Sequence, residues 1–194
     1  MENTRVAYFS SISKPRGDAG TLESRLDLKN DAEHFWELAG PHRQKLYHFI
    51  HKSLSFSTEA DDVYQDTLLR GLRYFPSYDK GKSFSTWLFT IAHNEVKKHF
   101  KNSRREIPLP LLESLIVRDE RSDFELVREV YRLADGLKPK HKEIFFLFYD
   151  SGFSITEISR ITGIREGHIK FILNRVRRTL REFFGEQDGR PRPV

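Results

Sequence analysis

Residues 155–170 read Ile-Thr-Glu-Ile-Ser-Arg-Ile-Thr-Gly-Ile-Arg-Glu-Gly-His-Ile-Lys, and arginines follow at 175, 177, 178 and 181. No other stretch restricts the fold as much. Apolar positions recur at spacings of three and four on either side of Gly163, which predicts two short amphipathic helices joined by a tight turn. That is the layout of a helix-turn-helix, whose second helix can enter a DNA major groove. Between Arg165 and Arg181 there are six basic residues and one acidic one, a balance of +5 that equals the formal charge of the whole chain. The basic surplus is concentrated here, so nucleic acid is the first partner to consider.

On a helical wheel, Leu173, Val176 and Leu180 fall within about 40° of Ile169 and form the core stripe. The opposite face carries Phe171, Asn174, Arg175 and Arg178, flanked by Lys170, Arg177 and Arg181, with Arg165 and His168 at the helix start. Cations there neutralise phosphates, and residues near the helix start reach base edges. Phe171 stands where a polar reader is expected. A thymine methyl and a protein surface would each suit its ring.

The remainder of the chain reads as helix. Residues 1–30 lack periodicity and are expected to form a flexible extension, with a short helix near Leu22–Leu28. Phe35, Leu38, Ala39, Leu46, Phe49 and Ile50 then follow helical spacing. A helix capped by Ser57 or Thr58 is predicted through Val63, Leu68, Leu69 and Leu72, and another from Ser83 to about Lys101. Residues 102–123, with Pro108 and Pro110, read as a linker. Helices are expected again at 124–137 and 140–149, with Pro139 in the first turn. Residues 185–194 should fray. Apolar content of 38% against 31% charged residues favours two small cores over one large one, and the 16 phenylalanines can fill them. The expected fold is all-α, two small helical bundles joined by a flexible linker.

Two further patterns carry chemistry. On the helix from Ser83, Phe84, Leu88 and Ile91 face inward, while Thr86, Thr90, His93, Asn94, Lys97 and Lys101 gather opposite, with Lys98 close by. Tyr74, Phe75, Tyr78, Phe84 and Trp87 crowd the adjoining loop. Aromatics beside amides and cations suit a partly opened strand, since unpaired bases stack on rings; core packing is the alternative for Phe84 and Trp87. The second pattern is acidic: Glu59, Asp62 and Asp66 share one helix face, with Asp61 and Gln65 alongside. Carboxylate catalysis or metal binding needs convergent groups in a pocket, so docking onto a basic protein surface is the better use.

Several classes drop out. The chain has no cysteine, which excludes disulfide scaffolds and thiolate metal sites and fits a reducing cytoplasm. No apolar run approaches the roughly 20 residues that span a bilayer, and no secretory signal is seen. No metal or cofactor is expected, and no enzymatic activity.

Taken in order, these segments resemble a bacterial RNA polymerase sigma factor of the extracytoplasmic-function group, over about residues 31–184. Asp61-Asp62-Val63-Tyr64-Gln65-Asp66 is similar to the D-x-x-Q-[DE] pattern of region 2.2. Phe84-Ser85-Thr86-Trp87-Leu88-Phe89-Thr90-Ile91-Ala92-His93-Asn94 is similar to F-x-x-W-L-x-x-I-A-x-N of regions 2.3 and 2.4, and Leu137–Arg181 resembles region 4. The resemblance implies region 2 at 31–101, a linker at 102–123 and region 4 at 124–184. It implies that Asp61, Asp62, Gln65 and Asp66 bind the β′ clamp of core RNA polymerase. Tyr78, Trp87, Asn94, Lys97, Lys98 and Lys101 would recognise and melt the promoter −10 element. Region 4 would dock on the β flap and read the −35 element through Arg165, His168, Lys170, Phe171, Asn174, Arg175 and Arg178. An anti-sigma factor is a common partner in the family.

One departure stands out. Many members carry V-K-S-R-L where this chain has Ile169-Lys170-Phe171-Ile172-Leu173, so a Ser-Arg pair is replaced by Phe-Ile. The expectation is weakened −35 reading, or reading delegated to another DNA-bound protein met through Phe171 or the N-terminal extension. A stand-alone helix-turn-helix regulator is the rival reading, and it leaves the Phe84–Asn94 run and the acidic helix without a use.

Overall fold

The computed structural model describes residues 22–55, 57–103, 134 and 136–187, with side chains over 29–55, 57–102, 134 and 136–182. All described elements are helical. Helix α1 (Leu22–Ala39) leads through a 3-10 turn at Gly40–His42 into α2 (Arg43–Ser53). Helix α3 (Ala60–Tyr74) ends in a second 3-10 turn at Phe75–Ser77, and α4 spans Phe84–Ser103. The C-terminal group is α5 (Pro139–Phe145) with a π-helical turn at Phe146–Asp150, then α6 (Ile155–Thr162) and α7 (Glu166–Gln187).

Boundaries differ from expectation in places. The short helix expected near Leu22–Leu28 is present, but it continues without a break to Ala39 as α1, and α7 reaches Gln187 although fraying was expected from 185. Helix α3 starts behind Glu59, with no side-chain cap from Ser57 or Thr58. The helix expected at 124–137 lies almost wholly outside the described residues, as do the expected linker beyond Ser103 and the tail beyond Gln187.

Helices α1 to α4 enclose Phe35, Leu46, Phe49, Ile50, Leu68 and Leu88, all buried. Gly71 permits the approach of α3 to α1 and α4. A Cβ there would stand 3.0 Å from the Phe35 ring and 3.3 Å from Leu88 Cδ1, inside ordinary contact distance. In the C-terminal group, Ile144, Leu147, Ile158, Ile169, Ile172, Leu173 and Val176 make the core.

The two helical groups expected from the sequence are both present, and their buried side chains meet in one continuous cluster. Helix α4 is the reason. Phe84 meets the Phe35 and Phe75 rings and Leu88 lies at Gly71, both in the N-terminal group, but Phe89 is also buried, on another face. Its ring lies 5.4 Å from Phe49 on one side and 4.7 Å from Phe153 on the other, centroid to centroid. Polar ties surround this aromatic bridge. His93 Nδ1 lies 2.5 Å from Glu143 Oε1, Lys52 Nζ donates to Asp150 Oδ1 at 2.5 Å, and Lys142 Nζ donates to Ser55 Oγ at 2.5 Å. Ser55 itself is left-handed, at φ 55°, which turns the α2–α3 connection outward toward Lys142. The seam is thus an apolar contact centred on Phe89 and margined by charged pairs.

The turn into α6 is firmly specified. Ser154 caps the helix: its Oγ accepts from the Glu157 amide at 3.3 Å, and its own amide donates to Glu157 Oε2 at 2.9 Å. Gly163 closes the helix at φ 68°, a conformation that favours glycine. The Ser154 hydroxyl, then its amide, hold the Glu157 carboxyl below its ordinary 4.5. Ser154→Ala should therefore cost about 1 kcal/mol in denaturant unfolding. A depressed carboxyl pKa stabilises above the unfolded value and is lost as pH falls through the folded one. The deficit of the variant should thus be full above pH 4.5 and shrink in more acidic buffer.

Candidate nucleic-acid and docking interfaces

Three surfaces emerge, one on each of α3, α4 and α7. On α3, Asp62, Gln65 and Asp66 are exposed along one face. Asp61 is drawn aside: its Oδ1 lies 3.1 Å from Nε2 of His51, which is buried on α2 with Tyr47 tilted over it at 3.9 Å. The structure thus groups three of the four acidic-face residues and angles the fourth toward α2. It also adds a residue that the sequence pattern places on this helix without assigning it to the acidic face. Leu69 is 63% exposed, because seven residues place it within about 20° of Asp62 on the wheel. The position was legible; its apolar character concealed it. A large exposed leucine flanked by carboxylates is what a docking face with a hydrophobic centre requires.

The α4 surface is partly as expected. Phe84 and Phe75 are buried, while Tyr78 and Trp87 are half-buried at the rim of their cluster. The Tyr78 ring stacks on Phe75 at 5.8 Å with planes 17° apart, and meets Trp87 at 5.0 Å. The Tyr78 hydroxyl donates to the Lys82 carbonyl and folds the 75–82 loop back on itself. Asn94 is half-buried, its amide donating to the Thr90 carbonyl at 2.8 Å. Lys97, Lys98 and Lys101 are exposed. Lys98 leans to Glu95 at 3.6 Å, and Glu95 is also held by Arg70 of α3 at 3.0 Å. The expected polar side of α4 is not all solvent-facing. Thr86 is buried, and His93 is covered by Glu143, because the C-terminal group packs on that flank.

On α7, the buried stripe Ile169, Ile172, Leu173 and Val176 fixes the rotation of the helix. Arg165, His168, Lys170, Phe171, Asn174, Arg175 and Arg178 are all exposed as a result. The Phe-Ile pair splits: Ile172 is fully buried and only Phe171 faces out, 58% exposed. Thr156 donates to Glu166 Oε1 at 2.8 Å and ties α6 to the start of α7. Arg177, counted with the flanking cations, bridges the edge of that face, donating from Nε to the Tyr149 hydroxyl at 2.6 Å and from Nη1 to Asn174 Oδ1 at 3.3 Å. Sequence reasoning missed a contribution from the start of α5. His141 lies near Arg175, Lys138, His168 and Lys140, and burial first, then these cations, hold its pKa below 6.5. Lys138 and Lys140 are exposed and enlarge the positive field over α7. Only the tertiary fold brings them there.

Among the described residues, no group of three or more His, Cys, Asp or Glu side chains is placed to hold a metal ion. No described helix is long and apolar enough to cross a membrane.

Comparison with known proteins fits these surfaces. The Sigma-70 region 2 model matches residues 38–106, and the Sigma-70, region 4 model matches residues 127–180. The ECF RNA polymerase sigma factor BldN of Streptomyces coelicolor is 33% identical over 158 residues, covering 77% of this chain and 60% of BldN. The chain thus spans somewhat less than two thirds of that relative. The ECF RNA polymerase sigma factor EcfG of Rhodopseudomonas palustris is 33% identical over 127 residues, 62% of this chain and 68% of EcfG. In three dimensions, the fold is similar to the sigma factor RpoE of Bartonella quintana, solved in complex with the anti-sigma factor NepR. The TM-score is 0.68 at 23% identity, over 79% of this chain and 98% of RpoE. A stand-alone helix-turn-helix regulator would leave the region 2 match unexplained. With both regions matched in order, the chain belongs to the extracytoplasmic-function family of RNA polymerase sigma factors.

Proposed function

We propose that this chain directs transcription initiation by joining core RNA polymerase through α3 and presenting α4 and α7 to promoter DNA. The observation that carries the reading is the α3 face: an exposed Leu69 set among Asp62, Gln65 and Asp66, uncovered by any described part of the chain. Its partner is the β′ clamp, with the carboxylates steering approach to basic groups and Leu69 supplying the desolvated centre. Tyr78 and Trp87, at the rim of an aromatic cluster, suit capture of an unpaired −10 base. Asn94, Lys97, Lys98 and Lys101 suit the adjoining strand. Helix α7 serves the −35 element, and the group of α5 to α7 docks on the β flap. Catalysis stays with the polymerase.

This role requires the seam to open. Elements named −10 and −35 are about 25 base pairs apart, about 85 Å along B-DNA at roughly 3.4 Å per pair. A packed body of about 150 residues has a radius of gyration near 15 Å and is about 40 Å across. It cannot touch both elements. The linker expected at 102–123, about 22 residues, reaches about 75 Å when extended, which together with the span of the two helical groups is enough. Separation exchanges the His93–Glu143, Lys52–Asp150 and Lys142–Ser55 contacts for water and uncovers the flank of α4 beside Asn94. A protein of the anti-sigma class, such as the one bound to RpoE, is the expected restraint. It would act by covering α3 or by holding the seam shut.

Run-off transcription with core polymerase tests the docking face. Asp62→Ala with Asp66→Ala, and separately Leu69→Asp, should each lower transcript yield at least tenfold while leaving the circular dichroism spectrum and unfolding midpoint unchanged. Undiminished transcripts would remove α3 from the interface. Opening is tested with two introduced thiols, at the exposed positions Arg73 and Thr179; the native chain holds no other. Spin labels there should move apart by tens of ångströms when core polymerase and promoter DNA are added. An unchanged distance in the transcribing complex would contradict the proposed separation.

A further inference from the structure

Phe171 is the least expected residue on the DNA-facing side of α7. Its ring is 58% exposed although the helix has a well-filled core stripe that could have accommodated an apolar residue elsewhere. It lies parallel to His168, one turn earlier, with planes 15° apart and centroids at 6.1 Å. Together they form a stacked aromatic pair near the start of the helix. On the same helix Arg165, Lys170, Asn174 and Arg175 are all exposed. A partner must therefore be strongly anionic at the rim and apolar at one central point.

The major groove of DNA meets that description. Phosphates line its edges, and the only apolar group on its floor is the C5 methyl of thymine. A protein partner would need an acidic ring around an apolar centre, and the exposed cations Arg165, Lys170 and Arg175 on the same helix make the nucleic acid the simpler complement. We infer that Phe171 is a specificity-determining residue of region 4, reading a thymine methyl in the −35 element, with His168 as the positioning residue that keeps its ring flat against the groove. This inference rests on the assignment of α7 to the −35 element. It replaces weakened or delegated reading with a change of code: the hydroxyl and guanidinium expected from the family pattern give way to an apolar contact, and Ile172 takes no part because it is buried.

The experiment uses holoenzyme reconstituted from the full chain and core polymerase. Upstream sites are selected from duplexes randomised around −35, and each selected thymine is then replaced by deoxyuridine. That change deletes the methyl and leaves every hydrogen-bonding group in place. At one position the replacement should weaken binding of the native holoenzyme by about fourfold, the effect of one buried methyl. Phe171→Ala should bind the thymine site about as weakly as the native protein binds the uridine site, and should no longer distinguish the two bases. Phe171→Leu should retain part of the distinction, which separates loss of the contact from loss of the fold. His168→Ala should reduce the distinction without changing the preferred sequence. Protection at −35 that is indifferent to the methyl at every position would overturn the inference while leaving α7 as the −35 helix. Absence of any −35 protection would end both. If Phe171→Ala lowers transcription only in the presence of a second protein, and not DNA binding, the ring faces that protein and the inference fails.

Discussion

Phe89 is held between Phe49 and Phe153, and the arrangement of the whole chain turns on that contact. It gives α4 two buried faces, one facing α1 to α3 and one facing the C-terminal group. Because Phe89 and Phe153 meet at 4.7 Å, α5 and α6 are brought against α4, and the charged side chains at the margin find partners across the seam. Lys52, Glu143 and Lys142 are buried or half-buried only because the aromatic bridge is made. Ion pairs at such a margin add little net stability once desolvation is counted, but they fix the angle at which the two groups meet. The seam thus combines a modest apolar attraction with contacts that water replaces at low cost.

That balance suits a protein whose binding surfaces must work far apart. Helix α3 offers an acidic face with an apolar centre, and α7 offers a basic face with a stacked aromatic pair. Both stay exposed while the seam is made. Helix α4 differs, since its aromatic rim is accessible but His93, beside Asn94, is occupied by Glu143. The packed arrangement therefore leaves the docking face and the helix-turn-helix available and encumbers the surface suited to an opened strand.

The two helix termini of the helix-turn-helix show how local chemistry sets a distant surface. The capping box at Ser154 and Glu157 and the left-handed Gly163 fix the start and stop of α6. The Thr156–Glu166 bond then fixes where α7 begins. From there the buried stripe decides the rotation, and Phe171 has no choice but to face outward. None of the residues involved in this positioning belongs to the proposed contact surface.

Period and punctuation alone determined much of this protein. The helix-turn-helix, its glycine turn, the Pro139 helix start, the inward stripe of α7 and the outward acids of α3 are all local properties, fixed by a spacing of 3.6 and by turn chemistry. Tertiary structure decided the rest. Leu69 shares the wheel position of Asp62, but only the tertiary structure shows that this face stays open around an apolar side chain. Phe89 and Phe153, about 60 residues apart, carry no local sign that they meet. Lys138 and Lys140 join the α7 field, and Arg177 ties its edge to Tyr149, because α5 packs beside α7. Which helix faces are covered depends on contacts between residues distant in the chain, and no periodicity records those.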